Sequence, residues 1–158
     1  MPVPMRLVVA GKGNEVVWVA GVVVLAMALS SGAAGAMCGS ANHPVMSAVK
    51  KDGNKIGLFI TQAEIERTQA WRPEDGEPPL SVSAAYRTVK AWGQQHYARY
   101  DDVSVRDISL RRYGCSLVQE RWYYVVELNP IIDGNELWAI GNWAAVLMDG
   151  TVVVPREY

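Results

Sequence analysis

Residues 121–128 read RWYYVVEL and residues 143–154 read WAAVLMDGTVVV, and these two stretches decide the fold. Both are rich in the aromatic and β-branched residues that favour strands. In the first stretch, alternation places four apolar residues on one side of the strand: Trp122, Tyr124, Val126 and Leu128. In the second, Asp149 and Gly150 are the two-residue signal of a type I′ hairpin between strands 143–148 and 151–154. The sequence therefore predicts an antiparallel sheet, whose first quoted strand stops at residues 129–130.

A further strand and a helix precede these stretches. Residues 105–112 alternate apolar and polar side chains, which predicts a strand. Before it, Ser81 is a suitable N-cap, and apolar residues recur from Val82 at helical spacing to about Ala98. A helix with one apolar stripe must bury it, and the sheet that follows supplies the surface. We therefore expect an α+β fold, with one amphipathic helix packed on an antiparallel sheet of three to four strands.

Residues 37–60 show weaker patterning. The part from Met37 to Asn54 is small, polar and aperiodic, which is typical of a tether. Residues 55–60 read KIGLFI and predict a short edge strand. Thr61 and Glu64 then have the spacing of a capping box, which opens one or two helical turns.

Residues 71–79 hold three prolines and three acidic residues. Proline removes a backbone donor and interrupts regular structure, so this segment predicts an exposed linker. The sequence therefore divides into a tether and linker at residues 37–79 and a compact domain at residues 80–158.

The first 36 residues predict a secretory signal peptide. Residues 16–36 carry no charge, follow a short basic segment, and end in small residues that place Ala34 and Ala36 for cleavage before Met37. Two alternatives stay open. Residues 16–36 could remain as a membrane anchor, since about 20 apolar residues span a bilayer, or Cys38 could carry a lipid. Export predicts a periplasmic or extracellular protein.

Cys38 and Cys115 are the two cysteines of the chain. In an exported protein such a pair more often forms a disulfide than a metal or redox site. The alternative is two unpaired thiols, one in the tether and one in a turn after Gly114. A disulfide between Cys38 and Cys115 is therefore the prediction.

Composition and motifs narrow the function classes. The 158 residues are 50% hydrophobic and carry a net charge of -1, which suits one globular domain and gives no reason to expect a nucleic-acid partner. The chain lacks a nucleophile elbow, a zinc-protease motif, a phosphate-binding loop and a dinucleotide fingerprint. We therefore predict no catalytic, metal or cofactor-binding residue, and interpret His96 as a packed or rim histidine of the helix.

The side of the sheet that the helix does not cover is the candidate interaction face. Tyr123 and Val125 point there, and an uncovered aromatic surface marks a binding site. Four arginines on neighbouring strands either gather into a basic patch on this face or form cross-strand ion pairs: Arg106, Arg111, Arg112 and Arg121. The alternative is that the N-terminal segment, with Phe59 and Trp71, folds over this face.

The order of elements resembles a known group of proteins. Four segments carry the resemblance: PPLS at 78–81 with Ala84 and Ala85, ISLRRYG at 108–114, WYYVVE at 122–127 and AVLMDGTVV at 145–153. Together they resemble small exported bacterial proteins of the PepSY-like, cystatin-like type, from Leu80 to Pro155. The resemblance implies a curved sheet wrapped on one helix and a non-catalytic protein that binds a peptidase or another envelope protein. It carries over no active-site residue.

Two other functions stay open. A small enzyme or ligand-binding protein of the related cystatin-like cone fold would place His96, Asp101 or Glu127 in a pocket between helix and sheet. An immunity-type protein would neutralise a delivered toxin, and the sequence does not separate it from a peptidase-binding module.

Overall fold

The structure, a computed structural model, describes residues 43–115 and 117–158. The predicted signal peptide and Cys38 lie outside these residues. The elements follow in this order: β1 (Met46–Val49), β2 (Lys55–Leu58), α1 (Gln62–Glu66), a 3-10 turn (Pro73–Asp75), α2 (Val82–His96), β3 (Asp102–Arg112), β4 (Trp122–Ile132), β5 (Asn135–Glu136), β6 (Trp143–Leu147), β7 (Val152–Val153) and β8 (Arg156–Glu157).

The strands form two antiparallel sheets. One is three-stranded, in the order β1-β2-β8, and the other runs β3-β4-β6-β7 with β5 paired to the far end of β4. With α2 as the main helix, this is the α+β class that the sequence predicts. The three-stranded sheet was not predicted.

Helix α2 begins where the sequence predicts. The Ser81 side chain accepts a hydrogen bond from the Ala84 N–H at 3.2 Å and so caps the first turn. Ala85 and Val89 are fully buried, whereas Val82 is half exposed at the first turn. The buried stripe is therefore narrower than the apolar spacing alone suggests.

Gly93 lets the helix approach the sheet closely. A Cβ at this position would lie 3.0 Å from Val103 Cγ1 of β3 and 3.6 Å from Leu128 Cδ2 of β4. A larger residue would push the helix outward, so this glycine is a packing residue.

Strand β4 continues past the predicted stop at Asn129 and Pro130. Its pairing with β6 ends at Glu127, and its pairing with β5 begins at Ile131. Pro130 lies between these two ladders and uses its carbonyl to accept from the Leu137 N–H at 2.7 Å. Proline is tolerated there because the strand has no regular partner on that side, so the stop prediction was wrong.

The Asp149 and Gly150 hairpin is present with a different turn. Gly150 has a φ of 86°, its N–H donates to the Leu147 carbonyl, and the Leu147 N–H donates to the Thr151 carbonyl. Asp149 keeps a negative φ, whereas a type I′ turn needs two positive values. The connection is a three-residue loop ending in a left-handed glycine, so the hairpin was predicted correctly and its turn type was not.

Of the predicted tether and linker at residues 37–79, the described part up to Trp71 packs into the fold, whereas residues 72–77 are exposed as expected for a linker. Strand β2 is the middle of its sheet rather than an edge, because β1 and β8 flank it. The capping box of α1 is complete, since the Thr61 N–H donates to Glu64 Oε2 at 2.8 Å and the Glu64 N–H donates to Thr61 Oγ1 at 3.2 Å. Trp71, in the predicted linker, is buried and meets Trp122 edge to face at 5.5 Å.

Two apolar clusters lie on opposite faces of the five-stranded sheet. The helix-side cluster holds nine buried residues: Ala85, Val89, Val103, Tyr124, Val126, Leu128, Ala144, Val146 and Met148. The second cluster joins the other face to β2 and α1: Ile56, Leu58, Ile60, Ile65, Tyr113, Cys115, Val118, Tyr123, Val125, Trp143, Ala145 and Leu147. The sheet is thus the middle layer of the fold.

Candidate functional site

The predicted open face is covered. Tyr123 is 4% exposed and Val125 is 3% exposed, and both belong to the cluster that β2 and α1 complete. Burial raises the pKa of the Tyr123 phenol, which the nearby Arg111 opposes. The prediction of an interaction face at Tyr123 and Val125 is therefore wrong. The apolar residues of β2 and α1 remove this surface from water.

The covering residues differ from those expected. Leu58 and Ile65 pack on the sheet face, whereas Phe59 stacks edge to face with Tyr158 at 5.2 Å and Trp71 contacts Trp122. Alternation along the chain explains this, since Phe59 follows Leu58 directly and points the other way.

The arginines of the predicted patch lie at the margin of the covered face. Arg111 is exposed and pairs in register with Tyr123, and Arg121 is half-buried. Nearby arginines bridge β3 to other parts of the chain: Arg112 Nη2 lies 2.9 Å from Glu120 Oε1 and Arg106 Nη1 lies 3.4 Å from Glu127 Oε2. These exposed pairs are the ionic contacts that the alternative reading of the arginines expects.

The residues of the enzyme hypothesis do not converge. His96 is exposed and stacks on Trp92 with ring centroids 4.6 Å apart, so it is a rim histidine. Asp101 accepts from the Asp133 N–H at 2.7 Å, and Glu127 lies on the face opposite the helix. The interior between helix and sheet is apolar. Among the described residues, no group of three histidine, cysteine or carboxylate side chains is arranged to hold a metal ion.

Cys115 is buried in the second cluster, and Cys38 lies outside the described residues. The disulfide between them stays a prediction. Within residues 43–115 and 117–158, the helices are too short or too polar to cross a membrane.

Three concave surfaces lie in the described part of the chain, and two of them are lined mainly by polar residues of a turn (112–119) and of the helix end (94–102). The third, a groove at the end of the sheet that has exposed apolar side chains at its rim, is here called the Trp138 groove. It has a volume of about 180 Å³ and is formed by β1, β3, β4 and the loop before β6. Its lining residues are Met46, Ala48, Arg106, Glu127, Leu128, Asn129, Trp138, Ala139, Ile140, Gly141, Asn142 and Trp143.

Two large apolar side chains stand at the rim of this groove. Trp138 is 63% exposed and Ile140 is 50% exposed. The Arg106 guanidinium carbon lies 3.8 Å from the centroid of the Trp138 ring, and the same group reaches Glu127. A β-bulge between Val105 and Asp107 places Arg106 here, since a bulge redirects the side chain of its extra residue.

The loop that carries Trp138 is held from several sides. The Leu137 N–H donates to Pro130, and the Tyr97 hydroxyl donates to Asn142 Oδ1 at 3.3 Å. Gly141 has a φ of 97°, and a Cβ there would lie 2.8 Å from Ile56 Cδ1. Such a loop presents Trp138 on a rigid support, which lowers the entropy cost of binding.

Charge and hydrogen-bonding capacity complete the groove. The Glu136 carboxylate accepts from Asn129 Nδ2 at 2.8 Å. This bond, a contact with Ser104 and the nearby Arg106 lower the pKa of Glu136. Trp143 is 7% exposed, and its buried Nε1–H has no acceptor in the described part of the chain.

Sequence reasoning expected an uncovered aromatic surface at Tyr123 and did not place it at Trp138. Trp138 and Ile140 fall in a stretch between strands, without alternation or helical spacing. An exposed tryptophan in a loop was the available signal. Compared with the known protein families, with curated proteins and with solved structures, the chain has no match.

Proposed function

We propose that this protein is a non-catalytic, exported binding module of PepSY-like form that contacts another envelope protein, such as a peptidase, through the Trp138 groove. The signal-peptide pattern of residues 1–36 supports export. The apolar interior between helix and sheet supports binding over catalysis, because catalysis needs convergent polar groups.

The observation that carries the proposal is the exposure of Trp138 beside Arg106. Tryptophan and arginine are the residue types that dominate binding energy at protein interfaces, and they do so when they lie together at a pocket. Here 63% of Trp138 meets solvent while the loop beneath it is fixed. A fold that buries Tyr123, Tyr124 and Trp143 yet leaves this ring exposed has an available contact surface.

Affinity capture from the cell-envelope extract tests the proposal, with the full chain as bait under oxidising conditions and the retained proteins identified by mass spectrometry. Three baits are compared: the unaltered chain, Trp138→Ala and Tyr86→Ala. Tyr86 is the matched control, since it is an exposed aromatic residue on α2, at the opposite face of the sheet.

The unaltered chain and Tyr86→Ala should retain the same protein, and Trp138→Ala should lose it. Both variants should keep the unfolding free energy within about 0.5 kcal/mol, since both side chains are exposed. A retained toxin would assign the immunity-type role, and a retained peptidase would assign the restraining role. Retention that does not depend on Trp138 contradicts the proposal.

A further inference from the structure

The outer edge of β1 borders the Trp138 groove. Within residues 43–115 and 117–158, β2 is the one strand that pairs with β1. Met46 and Ala48 of β1 line the groove, and no residue of β2 does. The groove therefore borders β1 on the side of its sheet that faces the five-stranded sheet, and it does not extend under β2.

The backbone of β1 offers hydrogen-bonding groups along this edge. The Lys50 N–H donates to the Asn54 carbonyl at 2.8 Å, which marks these residues as a hydrogen-bonded pair. In an antiparallel ladder such pairs alternate, so Ala48 and Met46 also face β2. The N–H and C=O of Ser47 and Val49 consequently point away from β2.

This four-residue edge has a proline and a lysine only in its flanking residues, at Pro44 and Lys50, and so is less protected than the other strand edges. Strand β3 has a bulge and a series of charged side chains, while β7 and β8 are two residues long. Strand β1 reads MSAV, without charge or proline. Bulges, charges and shortness are the usual means of blocking strand addition, so β1 is the edge that remains open to it.

The geometry gives an added strand a place for its side chains. Neighbouring residues in adjacent strands point to the same face of a sheet. Because Met46 and Ala48 face the groove, every second side chain of a strand beside β1 would enter it. These side chains would meet the exposed rings and aliphatic groups of Trp138 and Ile140.

The charges at the groove favour a cationic side chain. Glu127 lines the groove and pairs with Arg106. Glu136 lies beside the groove through its hydrogen bond with the lining residue Asn129, so one carboxylate is in excess of Arg106 there. The Trp138 ring already holds one guanidinium at 3.8 Å and remains largely exposed. A lysine or arginine is attracted both by the carboxylates and by the indole ring.

We infer that an extended segment of a partner protein adds as a strand to β1 and places a lysine or arginine side chain in the Trp138 groove. Backbone hydrogen bonds supply affinity in this mode of recognition, and the pockets for alternate side chains supply specificity. This inference rests on the proposed function and names the binding mode and chemistry of the partner segment.

A displayed library of random heptapeptides tests the inference with the full chain as the immobilised target. Selected peptides should be several-fold enriched in lysine and arginine over aspartate and glutamate, at alternating positions. The enrichment should be lost on Trp138→Ala and kept on Tyr86→Ala. The inference would be overturned by an absence of enrichment or by an acidic consensus. It would also be overturned if the selected peptides bound a dimer of the chain and not the monomer.

A backbone variant tests strand addition directly, with the most enriched peptide as the synthetic probe. Ser47→Pro removes an outward N–H without touching the ladder to β2, and Ser47→Ala keeps it. The dissociation constant should rise up to about tenfold for Ser47→Pro, as expected for one backbone hydrogen bond, and stay unchanged for Ser47→Ala. If Ser47→Pro does not fold, N-methylation of the peptide makes the same test. Each methyl group replaces a backbone N–H that would donate to an outward carbonyl of β1.

Equal affinity for both Ser47 variants, or for the methylated peptide, would exclude strand addition. A Trp138-dependent partner in the capture experiment would then still support the proposed function. If retention of the captured protein did not depend on Trp138, the proposed function itself would fail. The two failures are therefore distinguishable.

Discussion

The two faces of the five-stranded sheet are covered by different kinds of structure. On one face a single 15-residue helix, α2, buries Ala85 and Val89 against the sheet. On the other, β2 and the five-residue helix α1 cover Tyr123 and Val125 from a segment with three prolines nearby. The cluster beneath α2 is buried, whereas the second face ends at the Trp138 groove.

The difference shows how a cover made of short elements leaves an opening. A long helix covers its face with one continuous apolar stripe. The short elements β1, β2 and α1 each cover a separate part of the other face, and a gap remains beside residues 137–142. Loops held on a rigid support often carry binding residues. The second face therefore has a buried part, around Tyr123 and Val125, and an accessible part, the Trp138 groove.

The largest expected effect concerns whether β2 is part of the core. Leu58 is fully buried, so Leu58→Ala should lower the free energy of unfolding by about 2 to 5 kcal/mol. Val49→Ala, at a 56% exposed position of β1, should change it by less than about 1 kcal/mol. Chemical denaturation measures both. Equal, small effects would show that residues 43–79 form a dispensable cover.

On the helix face, a valine-to-alanine substitution at a buried and at a half-exposed position of α2 tests which side of the helix packs on the sheet. Val89→Ala removes a buried side chain and should cost about 1 to 2 kcal/mol, since lost burial exceeds the gain in helix propensity. Val82→Ala, at a half-exposed position of the same helix, should be neutral or slightly stabilising. Thermal unfolding of the two variants measures the difference, and identical melting temperatures would contradict the assigned helix face.

The cap of α1 tests whether this short helix contributes to the second face. Thr61→Ala removes the side-chain acceptor for the Glu64 N–H and should cost about 1 kcal/mol. Thr61→Ser keeps a hydroxyl and should restore most of the loss. Urea midpoints compare the three proteins. A variant pair without any difference would mean that α1 is frayed in solution.

The smallest expected effect is a pH dependence on the helix face. Hydrogen bonds from Lys90, from the Val103 backbone and from Gln94 lower the pKa of Asp102 to about 2. A lowered carboxyl pKa stabilises the fold above the unfolded value and loses this contribution as pH falls toward the folded value. Asp102→Asn should therefore be less stable than the unaltered chain at neutral pH.

The stability difference between Asp102→Asn and the unaltered chain should shrink between pH 4 and pH 2, roughly the interval between the two pKa values. Because Asp102 is exposed, salt should reduce the effect. Denaturation at several pH values in low and high salt checks both points. A difference that is constant with pH would assign it to something other than the ionised carboxylate.

Local signals in the sequence predicted the local structure correctly. Ser81, Thr61 with Glu64, and the Asp149–Gly150 hairpin act through neighbours in the chain, so their spacing is sufficient. Long-range contacts decided what was missed. The KIGLFI segment became a central strand because β8, about 100 residues later, pairs with it.

The Trp138 groove could not be predicted from the sequence, because long-range contacts bring its walls together. Its walls come from β1, β3, β4 and a loop, which alternation and helical spacing do not connect. The bulge that directs Arg106 toward Trp138 has no signature in the sequence around it. The chemistry of the groove depends on tertiary structure.

Native-state amide hydrogen exchange tests the central claim most directly, that the segment with β1, β2 and α1 is an integral cover of the sheet. The amides of Ile56 and Leu58 in β2 should exchange as slowly as those of Val125 and Val126 in β4, through global unfolding. Fast exchange in β2 beside slow exchange in β4 would contradict the account, because the face with Tyr123 and Val125 would then open without unfolding.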